Sequence, residues 1–208
     1  MKKIKSEKPS GRKRLKKLLL TLAIVVGIFI TAISLSYKKT RQAELKKNQV
    51  RDEMEKMYSE GDYKKLTDYY YKRKSDLTDS KYAKYKSVSE LYDEYEFVMD
   101  FMDEAYGKLT DDVEGNDDIR WELEQAFRII LLCDVCKENG YPHGEEKGVT
   151  DIRGLMTGYL TEKLLITSGE IETIADQNLK AEGLEDTKKV NEVIDELAVE
   201  SMSRVVGQ

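Results

Sequence analysis

The longest apolar run in the chain covers residues 18–37, from Leu18 to Tyr37, and reads LLLTLAIVVGIFITAISLSY. It contains no charged side chain. Twenty residues in an α-helix rise about 30 Å, which is the thickness of the hydrocarbon core of a bilayer. A helix also satisfies all of its own backbone hydrogen bonds in lipid. The run therefore predicts a transmembrane helix, with the lipid bilayer as its partner.

Beyond this span, apolar residues recur at helical spacing. The clearest stripe advances in steps of three and four and consists of Tyr85, Val88, Tyr92, Tyr95, Met99, Met102 and Tyr106. Such a stripe is typical of a helix packed in a bundle. It is also the spacing of a coiled-coil seam, so a homo-oligomer is a second interpretation. No segment sustains the period-2 alternation of a strand. The pattern predicts an all-α fold, in which a single N-terminal transmembrane helix precedes a bundle of about six helices.

Turn and cap residues divide the bundle. Gly61 is a helix stop and Asp62 can cap the next helix, which predicts a helical hairpin. The segment from Ala126 to Cys133 is apolar on nearly all sides, so the helix at 119–138 is predicted to be central. Thr167 and Glu170 resemble a capping box. They predict the start of another helix, which a last helix at 186–205 follows.

Glycine and proline punctuate the chain between the central helix and the capping box. Gly140, Pro142, Gly144 and Gly148 predict a break over this segment. An amphipathic helix is predicted to follow at 151–166. Its inward face is expected to consist of Ile152, Leu155, Met156, Tyr159, Leu160 and Leu164.

Charge separates the two ends of the chain. Residues 1–51 carry 15 basic and 2 acidic side chains, whereas the rest of the chain carries 20 basic and 38 acidic ones. We interpret residues 1–17 as a basic cytoplasmic tail, 18–37 as the transmembrane helix, 38–59 as a helical stalk with the first hairpin helix, and 60–208 as an acidic helical domain. A strongly acidic domain repels phosphate backbones, so nucleic acid is not an expected partner.

The flanks of the apolar run predict its orientation. Basic residues are denser before the run than after it, which favours a cytoplasmic N-terminus and an extracytoplasmic domain in the cell membrane. Ala32-Ile33-Ser34 also resembles the small-residue cleavage site of a signal peptide, and cleavage there would release a secreted helical protein. The reverse orientation would instead give a membrane-bound signalling regulator with a cytoplasmic domain.

The hairpin around Gly61 resembles a known repeat. Tyr58, Gly61, Asp62, Tyr63 and Tyr70 match the turn of one tetratricopeptide-repeat hairpin, and the resemblance covers about residues 49–75. It implies a tight hairpin of two helices. No second copy appears about 34 residues later, as an array of such repeats would require.

Two cysteines form a C-x-x-C, Cys133 and Cys136. They are interpreted as semi-buried structural thiols, as a local disulfide, or as part of a metal or redox site with His143 and Glu145. A zinc site would need all four of these side chains, and no metal or cofactor is predicted. The acidic loop at 110–118 lacks the spacing of an EF-hand.

No catalytic motif is present, so we do not expect an enzyme. Tyrosine is enriched in the first half of the domain, and its ring suits both a bundle core and a binding surface. The candidate partner-binding residues are Tyr58, Tyr63, Tyr69, Tyr70 and Tyr71. We therefore expect a membrane-anchored helical protein that binds protein partners or serves as a scaffold in a bacterial cell-envelope complex.

Overall fold

The computed structural model describes the backbone of residues 11–107 and 116–207, and within them the side chains of residues 31, 33–102 and 119–207. The described residues form α-helices and two short 3₁₀ turns, with no strand among them, which confirms the all-α class. The helices are α1 (Gly11–Glu60), α2 (Tyr63–Arg73), α3 (Ala83–Gly107), α4 (Asn116–Glu138), α5 (Glu146–Glu162), α6 (Ser168–Lys180) and α7 (Leu184–Val206). The 3₁₀ turns are Lys74–Asp76 and Ser80–Tyr82.

Helix α1 includes the predicted transmembrane run and the predicted stalk. The side chains of residues 18–30 and of residue 32 lie outside the described residues. Within the part of the chain that is described, no helix combines the length and the apolar character needed to cross a bilayer.

The chain divides into two compact units, Met1–Asp52 and Glu53–Gln208. The second unit contains the end of α1 and all the later helices. Helix α4 is its centre, because it packs against α3, α5, α6 and α7. The side chains of Leu123, Ala126, Phe127 and Ile130 on α4 are fully buried. The sequence prediction of a central helix is therefore confirmed.

The hairpin between α1 and α2 follows the predicted turn. Gly61 adopts a left-handed backbone with a φ of 74°, a conformation that glycine tolerates at no steric cost. The Asp62 carboxylate accepts a hydrogen bond from the Lys65 backbone N–H at 3.3 Å and caps α2. Helix α2 then packs against α3. Tyr58, at the end of α1, contacts Tyr85 on α3, so both halves of the hairpin reach that helix.

Helix α5 corrects the sequence prediction at both ends. It begins at Glu146 and ends at Glu162, whereas the pattern predicted 151–166. Gly148 lies inside the helix instead of breaking it. A Cβ at this position would lie 2.6 Å from Val88 Cγ2, so α3 and α5 approach each other at a point where only glycine fits. Tertiary packing has outweighed the local tendency of glycine to end a helix.

The inward faces of α3 and α5 also differ from the prediction. Leu155 is 46% exposed, although the stripe on α5 placed it inside. Three residues of the stripe on α3 are buried as predicted, Tyr85, Val88 and Met102. Tyr92, Tyr95 and Met99 are only half-buried. The last position of that stripe, Tyr106, lies outside the described side chains.

The start of α6 has the predicted capping box. The Glu170 backbone N–H donates to Thr167 Oγ1 at 3.3 Å, and the Thr167 backbone N–H donates to Glu170 Oε2 at 2.7 Å. Arg204 on α7 donates to the same carboxylate at 2.7 Å. The Arg204 guanidinium, through its hydrogen bonds, lowers the pKa of Glu170 to about 2. The cap thus joins α6 to the end of the chain.

Candidate functional site

A connected series of tyrosine rings runs across the hairpin and α3. Tyr58, near the end of α1, contacts Tyr85 edge-on with ring centroids 6.2 Å apart and Tyr63 at 6.3 Å. Tyr63 continues the series to Tyr92 at 6.0 Å, and Tyr92 to Tyr95 at 5.5 Å. Edge-to-face and tilted pairs of this kind stabilise the fold beyond the contribution of the buried ring area alone. We call these five rings the tyrosine cluster.

The hydroxyl groups at the centre of the tyrosine cluster are bonded to α5. Tyr58 Oη accepts a hydrogen bond from the Gly148 backbone N–H at 3.2 Å. Tyr63 Oη donates to Asp151 Oδ2 at 2.5 Å and accepts from Lys147 Nζ at 3.1 Å. Lys147 Nζ also donates to Asp151 Oδ2 at 2.6 Å. The hairpin is therefore tied to the N-terminal half of α5 by a closed network of three side chains.

Electrostatics fix the protonation states in that network. Burial, together with the hydrogen bond to the Asp151 carboxylate, raises the pKa of Tyr63 to about 12. The hydrogen bond to Asp151 and the one to Tyr63 raise the pKa of Lys147. Burial opposes ionisation of Asp151, but the hydrogen bonds from Lys147 and Tyr63 outweigh it and lower the pKa of this carboxyl. At neutral pH the phenol is neutral and the other two groups are charged, which suits a structural clamp.

The consecutive tyrosines of α2 have three different environments, as their spacing of about 100° around a helix requires. Tyr70 is buried, at 2% exposure. Tyr69 is half-buried and donates to the Glu53 carboxylate. Tyr71 is 38% exposed and donates to Asp93 Oδ2 at 3.1 Å. The predicted partner contacts stay untested, and Tyr71 presents the largest free surface of the three.

An open groove of about 730 Å³ lies where the turn at Gly61, the middle of α3 and the outer face of α5 meet. Tyr63 and Tyr95 form one wall of it, so the tyrosine cluster reaches solvent here. The other wall is a continuous face of α5. That face consists of Thr150, Asp151, Gly154, Leu155, Gly158, Tyr159, Glu162 and Lys163. We call this cleft the α5 groove.

The α5 wall combines two glycines with one exposed leucine. Gly154 and Gly158 are one helical turn apart, and a Cβ added at either position would meet no heavy atom within 4 Å. Between them projects the exposed side chain of Leu155. Sequence reasoning missed this face. The signal that could have found it is the G-x-x-x-G spacing of Gly154 and Gly158, which leaves one strip of the helix without side chains.

The two cysteines lie at the end of α4, and both are free thiols in the structure. Burial, chiefly, raises the pKa of each to about 12. Cys136 Sγ donates to Glu145 Oε1 at 3.1 Å, and the same carboxylate accepts from the His143 backbone N–H at 2.8 Å. These contacts agree with structural thiols. The disulfide stays a prediction that thiol titration would test.

The cysteines and the acidic loop at 110–118 are the segments whose side chains could in principle bind a metal ion. Among the described residues, no group of three or more histidine, cysteine and carboxylate side chains is placed to hold a metal ion. The acidic loop lies outside the described side chains.

The fold and the α5 groove define an α-helical bundle with an open, partly apolar surface cleft. No family model matches the chain, and neither a curated protein nor a solved structure matches it.

Proposed function

We propose that this chain is a single-pass membrane protein whose helical domain binds a protein partner, as a docking or scaffold component of a bacterial cell-envelope complex. The observation that carries the proposal is the α5 groove, an open cleft with an exposed leucine between two bare glycines. We propose no catalytic role.

The occupant that fits the α5 groove is an amphipathic helix of the partner. Gly154 and Gly158 leave room along the α5 wall for another helix, and Leu155 and Tyr95 supply apolar contact area. A groove of this kind recognises apolar residues spaced three and four apart on the incoming helix.

Charge favours a helix that is basic on its outer faces. The groove is lined by Asp151 and Glu162 against Lys163, and Lys147 already neutralises Asp151. The 20 basic and 38 acidic side chains after residue 51 give the domain a large negative excess. Such a field steers positively charged partners toward it and repels acidic ones.

The membrane anchor in this proposal depends on the sequence alone. The uncharged run at 18–37 has the length of a bilayer-spanning helix, and its N-terminal flank is the more basic one. Together they favour a cytoplasmic tail and an extracytoplasmic domain. We also propose that the hairpin around Gly61 is a single tetratricopeptide-like unit.

Site-directed photo-crosslinking in intact cells tests the groove. A photoreactive residue in place of Leu155 should give a discrete adduct with one protein partner. The matched control is the same residue in place of Leu184, which is 92% exposed but lies outside the groove. Adducts of equal yield at both positions, or none at 155, would remove the groove as the binding site.

The anchor and its orientation need separate experiments. The full chain should stay in the membrane fraction after alkaline washing, because an inserted helix resists treatments that release surface-bound proteins. A cysteine placed at Leu184 should react with an impermeant thiol reagent in intact cells. Protection from the reagent would favour the signalling regulator with a cytoplasmic domain, and a soluble chain cleaved after Ser34 would favour the secreted form.

A further inference from the structure

Three large aromatic side chains without hydroxyl groups are exposed together on α3 and α4. Phe97, Phe101 and Trp121 are 51%, 41% and 44% exposed. The rings of Phe97 and Phe101 are 4.8 Å apart between centroids, and those of Phe101 and Trp121 are 5.8 Å apart, both in edge-to-face contact. We call these three rings the aromatic ladder. They lie apart from the α5 groove, to whose lining they contribute nothing.

The aromatic ladder is unusual because its members touch one another. Single exposed apolar residues are normal on soluble domains, whereas contiguous exposed aromatic groups mark interaction sites. Aromatic residues are also the type most enriched at binding hot spots.

The helix that carries two of the three rings is strongly acidic. Residues 87–102 of α3 contain no lysine or arginine, and their acids are Glu90, Asp93, Glu94, Glu96 and Asp100. Glu94 and Asp100 are three residues before and after Phe97, which puts them beside the ladder. Both are exposed, and neither has a basic partner within the described residues. Arg128, two turns beyond Trp121 on α4, is also exposed.

We propose that the aromatic ladder is a second docking surface, which takes an arginine-bearing basic segment of a partner protein. Aromatic faces attract cations, and the planar guanidinium stacks on them better than an ammonium group does. The carboxylates of Glu94 and Asp100 are placed to pair with neighbouring basic groups of the same segment. This surface is independent of the α5 groove, and either can fail while the other stands.

The chain provides its own reporter for this surface, because Trp121 is its only tryptophan. The full chain in detergent is titrated with a synthetic peptide of alternating arginine and alanine, and Trp121 fluorescence and isothermal titration calorimetry are both recorded. Matched peptides with lysine or glutamate in place of arginine are titrated in the same way. We expect saturable binding of the arginine peptide, affinity about two- to fivefold lower for lysine, and no binding of glutamate.

Variants separate stacking from simple charge attraction. Phe97→Leu and Phe101→Leu keep the charge and an apolar side chain but remove the aromatic face, so affinity for the arginine peptide should fall about two- to fivefold for each. Leu184→Ala, at an exposed position outside the ladder, should leave affinity unchanged. Circular dichroism checks that each variant remains folded. Equal binding of arginine and lysine, no effect of either leucine variant, or no binding by either method would each overturn the proposal.

Discussion

The five rings of the tyrosine cluster and the three rings of the aromatic ladder are used in opposite ways. In the cluster, Tyr58 and Tyr63 are 5% and 3% exposed, and both hydroxyls are hydrogen-bonded to groups on α5. In the ladder, Phe97 and Trp121 are close to half exposed. The hydroxyl groups of the cluster are therefore used inside the bundle, whereas the two phenylalanines of the ladder expose rings that have no polar group.

This difference shows how each region contributes. A buried phenol needs a partner for its hydroxyl, and each such partner fixes the position of a neighbouring helix. The tyrosine cluster therefore positions α5, and with it the groove. Exposed phenylalanine rings gain nothing from water and contribute most when a partner covers them.

Removing a ring from the tyrosine cluster should have the largest effect. Tyr58→Ala deletes a buried side chain that contacts two other rings and bonds Gly148, so the free energy of unfolding should fall by about 3–5 kcal/mol. Denaturant unfolding of the full chain in detergent measures this. Tyr71→Ala is the control on a more exposed tyrosine and should cost less than about 1 kcal/mol. If both substitutions lowered the free energy of unfolding by the same amount, the distinction between buried and exposed tyrosines would be wrong.

A matched pair of glycines tests the contact between α3 and α5. Gly148→Ala forces a Cβ to within 2.6 Å of Val88, and overpacking of this kind should cost about 1–3 kcal/mol. Gly154→Ala meets open space on the same helix. It should stabilise the chain by up to about 1 kcal/mol, because alanine is the better helix former. The two melting temperatures should therefore shift in opposite directions.

Alkaline pH distinguishes the two regions, because only the tyrosine cluster titrates. The pKa of Tyr63 is raised in the folded state to about 12 from its ordinary value of 10.0. The stabilisation from its neutral form is complete below pH 10 and is lost as the pH rises toward 12. Tyr63→Phe should reduce the slope of unfolding free energy against pH over that window. An unchanged slope would mean that other tyrosines dominate the alkaline transition.

Changes in the aromatic ladder should have the smallest effect on stability. Phe97→Ser removes a ring that is 51% exposed, so the free energy of unfolding should change by no more than about 0.5 kcal/mol. A loss of several kcal/mol in denaturant unfolding would show that the ring belongs to the core, and the ladder would then have no role as a free surface.

Local signals predicted part of this structure. The turn at Gly61, the cap at Asp62 and the capping box at Thr167 each depend on a few neighbouring residues, and all three appear where expected. The uniformly apolar segment of α4 likewise indicated the centre of the bundle. The turn and the caps depend on hydrogen bonds between residues close in sequence, and the position of α4 depends on its uniformly apolar segment. Both kinds of feature can therefore be seen in a single sequence.

Features that depend on distant helices were not predictable in the same way. Gly148 has the local character of a helix breaker, and only the approach of Val88 explains its place inside α5. Leu155 fits the apolar stripe of α5, and nothing in that stripe shows that no neighbouring helix covers this edge. Phe97 and Phe101 fall off the stripe of α3, a sign of exposure that the sequence did contain. Side-chain periodicity gives the faces of a helix but does not say which faces are covered.

The most direct test of the account is to fill the α5 groove without disturbing the tyrosine cluster. Gly158→Leu adds a side chain whose Cβ meets open space, and it is combined with the photoreactive residue at position 155 in the full chain. Melting temperature and adduct yield are measured on the same variant. The account predicts an unchanged or higher melting temperature and loss of the partner adduct. A full adduct yield with the groove filled would contradict it.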